Sequence, residues 1–80
     1  MTDIKNVINV DPEIAGGQPV FKGTRIPLDI MFQHLENGLT LHDFLTSFPS
    51  VQREQAVAVL EIAGKILSAH NFMQLYEAAA

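Results

Sequence analysis

Two short stretches hold the side chains best suited to chemistry. Lys22 and Arg25 flank Gly23-Thr24 and make the one dense positive spot in the sequence. A guanidinium there can fork onto a carboxylate or phosphate, and glycine lets backbone N–H groups approach an anion. Arg25 can equally brace the fold by donating to helix-end carbonyls. Gln52, Arg53 and Gln55 form the second stretch. Glutamine and arginine bridge base edges in a DNA major groove. Glu54 lies among them, however, and acidic and amide side chains also serve to favour and solvate a helix N-terminus. Other chemistries lack their spacing. The glycine-rich segment around residues 16–27 has neither a following Gly-Lys-Ser/Thr nor a G-x-G-x-x-G run, so it does not read as a phosphate loop. His34, His42 and His70 have no second ligand at i+3 or i+4, and no metal site is expected. No serine stands in a nucleophile motif, and no carboxylate pair sits in a context that would raise a pKa. The residues point away from an enzyme and from any cofactor, and toward binding.

Whatever these side chains do, a small fold must hold them. Eighty residues make a single domain, and a chain of this size buries only about 60% of its unfolded surface. There is no cysteine, hence no disulfide framework, yet 48% of the residues are hydrophobic. That surplus in so short a chain predicts a partner surface, most simply a homodimer. Nine acids against five cations give a net charge of −4, which suits a basic protein partner and limits free-standing DNA binding to something weak. With no signal-peptide pattern and no apolar run of membrane length, the expectation is a soluble cytoplasmic protein that engages no membrane.

The pattern divides the chain into a β-rich arm over residues 1–27, a helical core over 28–68 and a C-terminal apolar helix or tail over 69–80. In the arm, residues 4–10 mix in β-branched residues, with Ile8 and Val10 in alternation, and predict a strand, Asp11-Pro12 and Gly16-Gly17 predict reversals, and residues 20–22 predict a second strand. From Pro27 the period becomes helical. Leu28, Met31, Phe32 and Leu35 share one face, and Asn37-Gly38 supplies a stop. Thr40 with Asp43 predicts a capped second helix, whose stripe is Leu41, Phe44, Leu45 and Phe48 and which Pro49 ends. Ser50 is the expected cap of a third helix starting at Val51, with Ala56, Val59, Leu60, Ile62, Ala63, Ile66 and Leu67 on its apolar side. The phase slips near His70-Asn71, after which Phe72, Met73, Leu75 and Tyr76 restart an apolar face, a candidate partner or dimer surface. The class is mainly α, with three to four helices in a helix-turn-helix layout and a short N-terminal β arm.

Asp11-Pro12-Glu13-Ile14, Gly16-Gly17-Gln18-Pro19, Gly23-Thr24-Arg25-Ile26-Pro27, Gly38-Leu39-Thr40 and Phe48-Pro49 follow one another in an order that resembles a small prokaryotic family, domain of unknown function 433. The likeness runs from Ile8 to about Ala63. It implies a homeodomain-like helical core with a β arm. It also implies a role as a VapB-type, antitoxin-like partner of PIN-like ribonuclease toxins. DNA-binding regulation through the helix-turn-helix is the alternative, with Gln52, Arg53 and Gln55 as contacts.

Overall fold

The structure is a computed structural model and describes residues 3–79. Asp3 opens it: its carboxylate accepts from the Lys5 backbone N–H at 2.9 Å and caps a single helical turn, α1 (Ile4–Val7). The strand expected over residues 4–10 is therefore reduced to Ile8–Asn9, β1. β-branched content is a weak prior, and a well-placed cap outweighs it over one turn. β1 pairs antiparallel with β2 (Val20–Phe21), placing Ile8 opposite Phe21 and Asn9 opposite Val20.

The connection between the strands begins with an Asp11 carboxylate that accepts from Glu13 N–H at 2.9 Å. It then makes a 3-10 turn, Ala15–Gly17, with φ of 52°, 68° and 87° at successive residues. After β2 the chain doubles back at once. Thr24 N–H donates to the Phe21 carbonyl, Phe21 N–H to the Ile26 carbonyl, and Val20 bridges Pro27. Lys22 belongs to this turn and not to the strand.

Pro27, at φ −60°, precedes α2 (Leu28–Glu36), which Asn37 and Gly38 close. Gly38 has φ of 83°, a left-handed conformation that glycine adopts without the clash a Cβ would bring. In α3 (Leu41–Ser47) the expected cap is a complete reciprocal box. Asp43 N–H donates to Thr40 Oγ1 at 3.1 Å, and Thr40 N–H donates to Asp43 Oδ2 at 2.9 Å.

The third helix of the core starts later than its sequence suggests. Pro49 and Ser50 form a turn, Val51 N–H donates to the Phe48 carbonyl, and the Val51 side chain is buried in the core. Gln52, not Ser50, is then the cap of α4 (Arg53–Leu67), and its N–H donates to Gln55 Oε1 at 3.0 Å. A break at Ser68-Ala69 separates α4 from α5 (His70–Ala79), with a 57° bend between them.

The described residues thus form five helices and a two-stranded antiparallel sheet, a helical core with an N-terminal β arm. The arm is wedged into that core. Phe21 packs with Met31, Phe44, Val51, Ala56 and Val59 in one buried cluster. The Phe44 ring lies at its centre, 5.8 Å from Phe21 and 5.2 Å from Phe48 between centroids. On α4 the predicted stripe is core only in part: Ala56 and Val59 are buried, Leu60, Ile62 and Ala63 half-buried, and Ile66 and Leu67 exposed. Among the described residues no single helix is long and apolar enough to cross a membrane.

Candidate functional site

The turn after β2 is shaped by Gly23, whose φ of 80° lets the chain reverse within four residues. Thr24 reinforces it: its hydroxyl donates to the Phe21 carbonyl at 2.8 Å and accepts from Ile26 N–H at 3.1 Å. Lys22 is held at both ends. Its backbone N–H donates to the Val7 carbonyl, and its Nζ donates to the Lys5 carbonyl at 3.0 Å, tying the turn to α1. Of the four residues in this positive spot, Lys22, Gly23 and Arg25 are exposed and Thr24 is half-buried.

Gln55 connects the two candidate stretches. Its Nε2 donates to the Lys22 carbonyl at 2.9 Å across 33 residues of sequence, while its Oε1 accepts from Gln52 N–H. The start of α4 and the turn of the β arm are therefore one continuous surface. The same geometry commits the Gln55 amide to the fold at both ends, so it is not free to bridge a base edge as the sequence pattern suggested. Gln52 and Arg53 remain exposed on the first turn of α4.

Beside them lies an open depression of about 300 Å³, lined by Arg53, Glu54, Val57, Ala58 and Glu61. The lining recurs at i, i+1, i+4, i+5 and i+8 along α4. This is a second face of the helix, distinct from the one buried by Ala56 and Val59. Ala58 is buried and Val57 partly exposed, giving an apolar floor under a rim of two carboxylates and one guanidinium. The sequence pattern assigned Glu54 only a helix-start role and Glu61 only an outside ion pair with Lys65, and it did not single out Val57 and Ala58. The available signal was an exposed β-branched residue flanked by acids at helical spacing.

The histidines have settled local roles or exposed positions. His34 Nδ1 lies 3.0 Å from the Ile30 carbonyl, which can only accept, so that nitrogen carries the proton. Its ring meets Phe44 and Phe48 edge-on, with centroids at 5.6 and 5.8 Å. His42 and His70 are exposed. Among the described residues, no group of three or more His, Asp or Glu side chains is placed to hold a metal ion. The Asp43 carboxyl is held below its ordinary value of 3.8, first by the Thr40 backbone N–H and then by the Thr40 side chain.

At the other end of the chain, α5 has no buried residue. Phe72 is half-buried, and Met73, Leu75 and Tyr76 are exposed, so the apolar face expected there is open to solvent.

Fold and surfaces together define a small helical domain with a β arm locked into its core and with open, mixed apolar and charged faces. The model of the family described as "Protein of unknown function (DUF433)" matches residues 8–63, from β1 to late in α4, and the chain belongs to that family. No curated protein and no solved structure matches it. The matched region contains the Lys22–Arg25 turn, the first turn of α4 and the depression, and it stops short of the exposed apolar residues of α5.

Proposed function

We propose that this chain is a non-catalytic interaction module: the antitoxin-like component of a type II toxin–antitoxin pair, which binds and neutralises a PIN-like ribonuclease in the cytoplasm. The observation that carries this reading is the depression on α4. An apolar floor at Val57 and Ala58 gives a docking element something to cover, and Glu54 and Glu61 favour a basic one. A ribonuclease must line its substrate channel with positive charge to hold RNA, and an acidic domain of net charge −4 complements it. The module acts by occupying that channel, and no bond is made or broken by its own residues.

The test is co-expression with the product of the adjacent reading frame, assayed for ribonuclease activity, followed by affinity measurement. The intact chain should form a stable complex. Glu54→Lys combined with Glu61→Lys should weaken it about tenfold, roughly 1.4 kcal/mol, with helix content unchanged. Absence of a complex, or one indifferent to the charge reversal, would refute the reading.

A second reading, a DNA-binding transcriptional regulator acting through the helix-turn-helix of α3 and α4, is favoured by the exposure of Gln52 and Arg53 at the start of α4. It requires two such helices presented about 34 Å apart on a duplex. Arg53→Ala should then lower affinity in a mobility-shift titration against the upstream DNA, and the absence of any shift, with or without the nuclease, would exclude it.

A further inference from the structure

We propose that the end of α4, at Ile66 and Leu67, and the apolar residues of α5 form a self-complementary surface, covered by the same surface of a second copy of this chain in a two-fold dimer. Ile66, Leu67, Met73, Leu75 and Tyr76 are each between 49% and 68% exposed. Phe72, Leu75, Tyr76 and Ala79 recur at i, i+3, i+4 and i+7, the spacing of a helix-packing face. Within the described chain that face is covered only in part: Phe72 is half-buried, and no residue of α5 is buried.

Charge points to the occupant. Residues 66–76 contain no Asp, Glu, Lys or Arg and are bordered by one cation, Lys65, and one acid, Glu77, although the chain as a whole carries −4. A basic partner finds nothing to grip there. A second acidic copy, repelled elsewhere, can approach through this stretch, where like charge is limited to Glu77 at its edge. An isologous contact also asks only that one patch match itself.

Area and shape agree in magnitude. The chain exposes 5700 Å², roughly 900 Å² more than the ~4800 Å² expected of a compact protein of 8.8 kDa. A standard stable interface removes about 800 Å² from each partner, a magnitude comparable to that excess. The radius of gyration is 13.9 Å, against about 11.6 Å for a compact domain of this length. The depression used in the nuclease reading draws on residues 53–61 and leaves the stripe free, so the two surfaces are occupied independently.

The experiment is sedimentation equilibrium of the full chain alone. At micromolar concentration the expected mass is that of a dimer. Leu75→Glu with Tyr76→Glu, which sets carboxylates from both copies against each other, should give the monomer with the same far-UV helix signal. Leu75→Met should remain dimeric. If the double variant loses helix signal, Leu75→Lys is read in its place for the same shift to monomer. A full chain that is monomeric at micromolar concentration would overturn the proposal, as would a dimer unaffected by charge at Leu75 in a folded variant. Neither result bears on the nuclease complex, which is measured through Glu54 and Glu61.

Discussion

Gln55 bonds to Gln52 N–H and to the Lys22 carbonyl with the two ends of one amide, and so sets both the start of α4 and its seat on the β arm. Gln55→Ala should therefore cost about 0.5–1.5 kcal/mol in denaturant unfolding. Gln52→Ala, whose side chain is exposed, should stay within about 0.5 kcal/mol of the parent. The Thr40–Asp43 box makes a pH-resolved prediction. Thr40→Ala should cost about 0.5–2 kcal/mol at neutral pH. Because the folded-state pKa of Asp43 lies below 3.8, its contribution is fully present above that value and is lost as pH falls through the lower folded value. The gap in unfolding midpoint between parent and Thr40→Ala should thus narrow only in acid, and a gap that narrows between pH 8 and pH 5 would assign it to another group.

Helix α3 and the first half of α4 enclose the core, and their residues are unequal in ways the apolar stripes did not reveal. Phe44 is fully buried against Phe21 and Phe48, so Phe44→Ala should cost about 3–5 kcal/mol. Leu60 is half-buried, and Leu60→Ala should cost about 1–2 kcal/mol, since only part of its side chain leaves water on folding. Equal effects in thermal unfolding would mean that α4 presents a different face. Punctuation was legible in the sequence where it is local: Asn37-Gly38 ends α2, Thr40 with Asp43 starts α3, and Phe48-Pro49 ends it. Features set by distant contacts were not. Val51 is drawn into the core and delays α4 by two residues, and the Gln55–Lys22 bond joins positions 33 apart. The short α1, which packs on α4, was hidden by a β-branched run whose cap, Asp3, lies before it. Of the candidate site, the two stretches were legible as residues, but their joining into one surface and the depression beside it were not, because both depend on how α4 seats against the arm.

At the scale of the whole molecule, a core matched by its family over residues 8–63 is followed by helical chain that leaves the core at a 57° bend and extends the molecule to 40 Å along its longest axis. In the proposed account, the matched core holds the acidic, apolar-floored depression that meets a nuclease, and the C-terminal stripe pairs two copies. In that proposal both surfaces bind and neither performs chemistry. The central claim is neutralisation of a ribonuclease through the α4 depression. It is tested most directly by titrating this chain into an RNA-cleavage assay of a PIN-like ribonuclease, with the product of the adjacent reading frame as the first candidate. The account predicts that cleavage falls to background as the chain reaches equimolar amounts, and that Glu54→Lys with Glu61→Lys shifts the half-inhibiting concentration about tenfold upward. Undiminished cleavage in the presence of excess folded chain would contradict it.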